Sequence, residues 1–156
     1  MEVKNHQMDP SKTDIVLEVI DLKQYFPIKA GLMQRVVGHV KAVDGISFTI
    51  KRGKTMGLVG ESGCGKTTVG KTILRLNEKT GGEVHFFGFD IFAISRKEMR
   101  AIRPKMQIIF QDPYSSLSPR LPISEIIGEA VKEHHIVPDD EYEDHLDNVM
   151  RTCELQ

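Results

Sequence analysis

Cysteine is scarce in this chain. Only Cys64 and Cys153 occur, and neither has a Cys or His neighbour at metal-ligand spacing. That leaves no disulfide framework and no zinc site, and it fits a reducing cytosol. Long apolar runs are absent as well: none approaches the ~18 residues that cross a bilayer, and the opening stretch, Met1 to Lys12, is polar, unlike a secretion signal. Charge of one sign is also lacking. The formal net charge is -1, with acids and bases interspersed. This argues against a nucleic-acid partner and against a direct hold on an anionic membrane, so any membrane association is expected to come through a partner. There is no internal repeat and no low-complexity tract, which removes solenoids and arrays.

What is present suits a folded core: 40% of residues are hydrophobic and 28% charged, ordinary for one globular domain. Residues 1–12 read as a loose, flexible leader. Ile15 to Ile20 is the first apolar stretch. Val40 to Val43 and Ile46 to Ile50, separated by Asp44-Gly45, predict a β-hairpin. Thr55 to Val59 predicts a short buried strand running into a Gly-rich loop, and Lys66 to Leu76 a helix. Glu83 to Phe87 predicts a strand. Ser95 to Arg103 predicts a helix capped by Ser95, with Glu98 at the capping-box position and Pro104 ending it. Met106 to Phe110 predicts a further strand, and Asp112 to Pro122 is rich in Pro and Ser, a loop. Two amphipathic helices close the chain, one with Ile123, Ile126, Ile127, Ala130 and Val131 on its apolar face, the other with Tyr142, Leu146, Val149, Met150 and Cys153.

The most informative segment is Gly60-Glu61-Ser62-Gly63-Cys64-Gly65-Lys66-Thr67-Thr68. It matches G-x-x-x-x-G-K-[ST], the Walker A phosphate-binding pattern, without a mismatch. Chance alone produces such a match in on the order of one chain in a hundred of this length. The strand-loop-helix context narrows it further. Backbone N–H groups must converge on an anion, so Gly60, Gly63 and Gly65 stand where a Cβ would obstruct. Lys66 is placed to reach the β- and γ-phosphate oxygens and Thr67 to bind Mg²⁺, with the helix N-terminus aimed at the phosphates. Cys64 has two readings, a small filler or a thiol activated by Lys66 and the helix end.

With these residues in view, the chain resembles the ATP-binding subunits of ABC transporters, specifically the oligopeptide and dipeptide importers. The resemblance runs from about Ile15 to the end. It rests on Val40-Lys41-Ala42-Val43-Asp44-Gly45-Ile46-Ser47-Phe48, on the phosphate loop, and on Gln111-Asp112-Pro113-Tyr114-Ser115-Ser116-Leu117-Ser118-Pro119-Arg120. It implies an α/β fold: an ABC-type P-loop NTPase core with an N-terminal antiparallel β region over residues 13–111, and the beginning of a helical subdomain over 112–156. It further implies that Gln111 is the Q-loop glutamine that senses Mg²⁺ and the γ-phosphate. An aromatic residue stacks on adenine in this family, and counting from Leu22 assigns Phe26, with Tyr25 as the alternate. The implied cofactors are ATP and Mg²⁺. The implied partners are transmembrane permease subunits and a second, homologous ATP-binding subunit in a heterodimer, with the chain peripheral on the cytoplasmic face of the cell membrane.

The family's second acidic motif (Walker B), its signature Leu-Ser-Gly-Gly-Gln loop and its switch histidine are not found in the sequence. The resemblance therefore implies the N-terminal part of a longer subunit. In the family's sheet, the strands between the P-loop strand and the Q-loop strand come later in the chain, so Thr55 to Val59 is expected to lack its partners here. Two rival readings remain at this level. One is a non-catalytic nucleotide-binding fragment. The other is a small P-loop kinase in which Ile108 to Asp112 supplies the acidic strand and Arg100 or Arg120 contacts the acceptor. Arg96, Lys97, Arg100 and Arg103 read as a solvated helix side, and His134 and His135 as surface residues at a helix end.

Overall fold

A computed structural model describes residues 13–112 and 117–155. The chain divides into two compact units at Met99/Arg100. The first is built on an antiparallel sheet of order β2-β1-β3-β4, with β1 at Ile15–Ala30, β2 at Arg35–Lys51, β3 at Gly81–Phe86 and β4 at Phe89–Asp90. Helix α1, Lys66–Ile73, packs against β1 and β2. Val19, Leu22, Val43, Val69, Val84, Phe86 and Ile91 are buried and form the core. Arg75, just past α1, donates to the carbonyls of Ile91 (2.8 Å) and Ile94 (3.0 Å), tying the helix end to the turn after β4.

The expected hairpin at Asp44-Gly45 is not one. Those residues lie inside the single long strand β2, and the hairpin joins β1 to β2 through Gly31–Gln34, where Gln34 N–H donates to the Gly31 carbonyl at 3.1 Å. Gly45 does take the positive φ (+83°) that the Asp-Gly pair signals, but a bulge uses that conformation as well as a turn. The bulge matches a kink in β1 at Asp21 (φ +46°), whose N–H donates to Ser47 Oγ at 2.8 Å. On the other side of the kink, Gly82 (φ +79°) is required, because a Cβ there would overlap the Asp21 and Ile20 carbonyls.

Thr55–Val59 and Met106–Phe110 form no strand among the described residues; Val59 is 90% and Ile109 93% exposed. A buried-type strand is defined by neighbours that cover both faces. Neither segment has such neighbours among the described residues. The strand expected at Glu83 to Phe87 is found as β3, which starts two residues earlier and ends one residue earlier, at Gly81–Phe86.

Helix α2, Arg96–Ile102, has the expected capping box: Glu98 N–H donates to Ser95 Oγ (3.3 Å) and Ser95 N–H to the Glu98 carboxylate (2.7 Å). These bonds hold the Glu98 carboxyl below its ordinary pKa. In the second unit, α3 (Ile123–Glu133) packs on α4 (Tyr142–Thr152), with Val131 and Leu146 buried between polar faces. The apolar face of α3 is narrower than its periodicity predicts, since Ile123 and Ala130 are exposed. On α4, Leu146 is buried as expected, while Cys153 just beyond it is exposed. No helix of the described residues is long and apolar enough to cross a membrane.

Candidate functional site

The loop from Gly60 leads directly into α1, whose first residue is Lys66 and whose N-cap is Gly65 at φ +100°. No capping side chain covers the helix start, and the first turn holds no acidic residue. The first intrahelical bond runs from Val69 N–H to the Gly65 carbonyl (2.9 Å). The N–H groups of Lys66, Thr67 and Thr68 therefore have no partner within the helix and sit at its positive end. That is the geometry of an anion site. Gly65 is fixed by tertiary contact as well as by conformation: a Cβ there would run into the backbone carbonyl of Ala42 on β2.

Lys66 Nζ donates to the carbonyls of Gly60 (2.7 Å) and Glu61 (2.6 Å), and lies 3.5 Å from Cys64 Sγ. The ammonium thus draws both ends of the loop together. Cys64 Sγ in turn lies where a Cβ on Gly60 would come within 2.7 Å of it, so the thiol fills space above Gly60. The thiol is exposed and also within reach of the Lys66 ammonium, so the filler and activated-thiol readings both stay open. Beside the loop is a cavity of about 200 Å³ lined by Ala42, Val43, Leu58, Cys64, Gly65 and Lys66, among others. Thr67 is exposed and Thr68 half-buried in the first turn. Glu61, Ser62 and Gly63 form the exposed bend of the loop.

Two of the three expected regions meet here. Phe26 and Tyr25 lie on β1 opposite Val40 and Lys41 of β2, next to the Ala42 carbonyl on which Gly65 rests. They differ in surroundings. The Tyr25 hydroxyl donates to Asp44, and the Lys41 ammonium, itself 3.2 Å from Asp44, stands 5.3 Å from the ring centroid. The Tyr25 bond and Lys41 hold the Asp44 carboxyl below its ordinary pKa, and the same bond raises that of Tyr25. Phe26 is 40% exposed and shares the side of β1 occupied by the buried Gln24, whose partner Val43 lines the cavity. Gln111 lies in the second unit, exposed at the bend after residues 106–110. Pro113 to Ser116 of its ten-residue motif fall outside the described residues. Sequence reading did not single out Ala42, because a backbone carbonyl carries no signature in a local pattern.

The ABC transporter family profile matches residues 43–156. The chain belongs to the ABC transporter family. It is 48% identical over 130 residues to the oligopeptide transport ATP-binding protein AppF of Bacillus subtilis, covering 83% of this chain and 40% of that protein. It is 51% identical over 126 residues to the peptidoglycan transport ATP-binding protein YejF of Agrobacterium fabrum, covering 81% of this chain and 23% of that protein. The chain therefore spans well under half of these relatives. Among solved structures, CbiO1 of Clostridium perfringens, part of an ABC transporter complex, superposes with a TM-score of 0.67 at 24% identity, over 92% of this chain and 52% of that one. A dimeric bacterial ABC transporter cassette does so with a TM-score of 0.69 at 20% identity, over 90% and 58%. The fold is that of an ABC-type P-loop nucleotide-binding core.

Proposed function

We propose that this chain binds Mg-ATP and is the nucleotide-binding part of an ABC importer subunit that moves peptides or peptide-derived solutes. The observation that carries the reading is the start of α1: three N–H groups with no helical partner, no acidic side chain in the first turn, and the Lys66 ammonium drawn over the loop. In this reading the backbone of Gly60–Thr68 cradles the phosphates, Lys66 pairs with the β- and γ-oxygens, and the Thr67 hydroxyl and Gln111 amide hold Mg²⁺. Bound Mg²⁺ would neutralise phosphate charge. The names of the relatives, oligopeptide and peptidoglycan transport proteins, support a peptide-like solute. The partners in this reading are permease subunits and a second ATP-binding subunit at the cytoplasmic membrane face. Titration with a fluorescent ATP analogue, with and without Mg²⁺, tests it; an affinity indifferent to both the loop lysine and the metal would remove the proposal.

Of the two aromatic candidates, we assign adenine stacking to Phe26, since Tyr25 is already engaged by Asp44 and Lys41. Stacking of a base on an aromatic ring contributes about 1 kcal/mol or more. Phe26→Ala is expected to weaken ATP about fivefold or more, and Tyr25→Ala less than twofold. The reverse order in the same titration would transfer the role to Tyr25.

We further propose that these 156 residues bind ATP with little turnover, because Lys66, Thr67 and Mg²⁺ neutralise charge but do not orient the attacking water. Phosphate release from a contaminant-free preparation is the measurement. Steady turnover near about 1 per second that disappears in Lys66→Ala would point instead to an acid within the chain, Asp112 first.

A further inference from the structure

The β1–β2 hairpin extends well past the sheet that supports it. Strand β3 pairs with β1 only from Leu17 to Lys23, whereas β2 accompanies β1 to Ala30. The outer seven residues of β1 therefore form a two-stranded arm that reaches roughly 20 Å beyond its last β3 partner. Its tip is the turn Gly31–Gln34, where Leu32 is 103% and Met33 77% exposed, followed by exposed Val36 and Val37. Lys29 and Arg35 flank that tip.

Charge along the arm is segregated, although the chain as a whole is balanced. Between Asp21 and Asp44 there is no acidic residue, while Lys23, Lys29, Arg35 and Lys41 fall in that interval. Lys23 and Lys41, near the base, pair with those two bounding aspartates, which leaves Lys29 and Arg35 as the cations of the outer arm. Apolar side chains at a turn add nothing to the fold's own core. Exposed apolar side chains continue from the tip through Val36, Val37, Ile28 and Val40, and with no acidic residue among them the two outer cations favour an anionic surface. Two such arms would repel each other through like charge. An apolar tip ringed by cations does suit the boundary of an anionic bilayer, where side chains enter the headgroup layer and cations meet lipid phosphates.

We infer that the hairpin tip Leu32-Met33, with Lys29 and Arg35, is a contact site for an anionic lipid surface. The site is separate from the phosphate loop. Flotation of the chain with phosphatidylcholine vesicles, with and without phosphatidylglycerol, tests it and separates lipid binding from aggregation, since aggregates do not float. Wild type is expected to float with anionic vesicles and not with neutral ones. Each cation near such a surface contributes about fivefold, so Lys29→Gln with Arg35→Gln should weaken binding roughly 25-fold. Leu32→Asp with Met33→Asp should abolish it while leaving nucleotide affinity unchanged, which shows that the variant is folded. No flotation, equal flotation with neutral vesicles, or tip variants that float like wild type would each overturn the inference. Tip-dependent self-association without lipid would overturn it in favour of a second copy of the chain. Failure here leaves the nucleotide titration untouched, so the two proposals stand or fall separately.

Discussion

Lys66→Ala is expected to weaken ATP binding 10- to 100-fold. A charge-assisted hydrogen bond to phosphate contributes about 1.5 to 3 kcal/mol, and Lys66 is the cation whose Nζ already lies over the loop, 2.7 Å from the Gly60 carbonyl and 2.6 Å from that of Glu61. The substitution also removes the contact that draws the loop's two ends together, so a second, smaller loss from loop disorder adds to the first. Lys66→Arg separates the two effects. It keeps the charge, but its planar fork cannot reproduce a compact ammonium between two carbonyls. Titration of all three proteins with the fluorescent analogue decides the matter. Equal affinities for wild type and Lys66→Ala would mean that the nucleotide sits elsewhere.

Gly65→Ala is expected to damage both the fold and the site, and more severely than Gly63→Ala. Both positions have positive φ, +83° at Gly63 and +100° at Gly65, a conformation that costs an L-residue roughly 1–2 kcal/mol. At Gly63 nothing lies within 4 Å of the added methyl, so that strain is the whole penalty. At Gly65 the methyl meets the Ala42 backbone carbonyl, which belongs to β2 and has no side-chain freedom with which to yield. Either the start of α1 or the strand must move, for a total of about 3 kcal/mol or more. Displacing α1 also displaces the N–H groups proposed to hold the phosphates. Urea unfolding should therefore shift modestly for Gly63→Ala and strongly for Gly65→Ala, and ATP binding should be lost in the latter. Matching midpoints for the two variants would show that the Gly65–Ala42 approach is not a packing constraint.

The features legible in the sequence are those whose physics is local. The capping box at Ser95 and Glu98 is a reciprocal bond across three residues, and Gly60–Thr67 is a conformational pattern followed by a helix start. The amphipathic stripes of α3 and α4 are a matter of spacing. The capping box is present, the loop from Gly60 runs into the start of α1, and α3 and α4 form where the spacing predicts, although Ile123, Ala130 and Cys153 of their apolar stripes are exposed. Asp44-Gly45 shows where that reading stops. The pair predicted a hairpin, but Gly45's positive φ serves a bulge inside β2; which of the two it serves depends on the opposing strand, and the kink at Asp21 sits 24 residues upstream of Gly45.

By itself, then, the sequence determined the phosphate loop, the helices and the family resemblance, because all of these are carried by residue identity at short spacing. Tertiary structure alone decided three further things. It set the register that rests Gly65 on the Ala42 carbonyl and separates Phe26 from Tyr25. It left Thr55–Val59 and Met106–Phe110 without strand structure despite their strand-like composition, since a strand exists only through hydrogen bonds to another strand. And it collected Lys29, Leu32, Met33 and Arg35 at the end of one arm, because β pairing folds the chain back on itself and concentrates at a tip what whole-chain composition averages away.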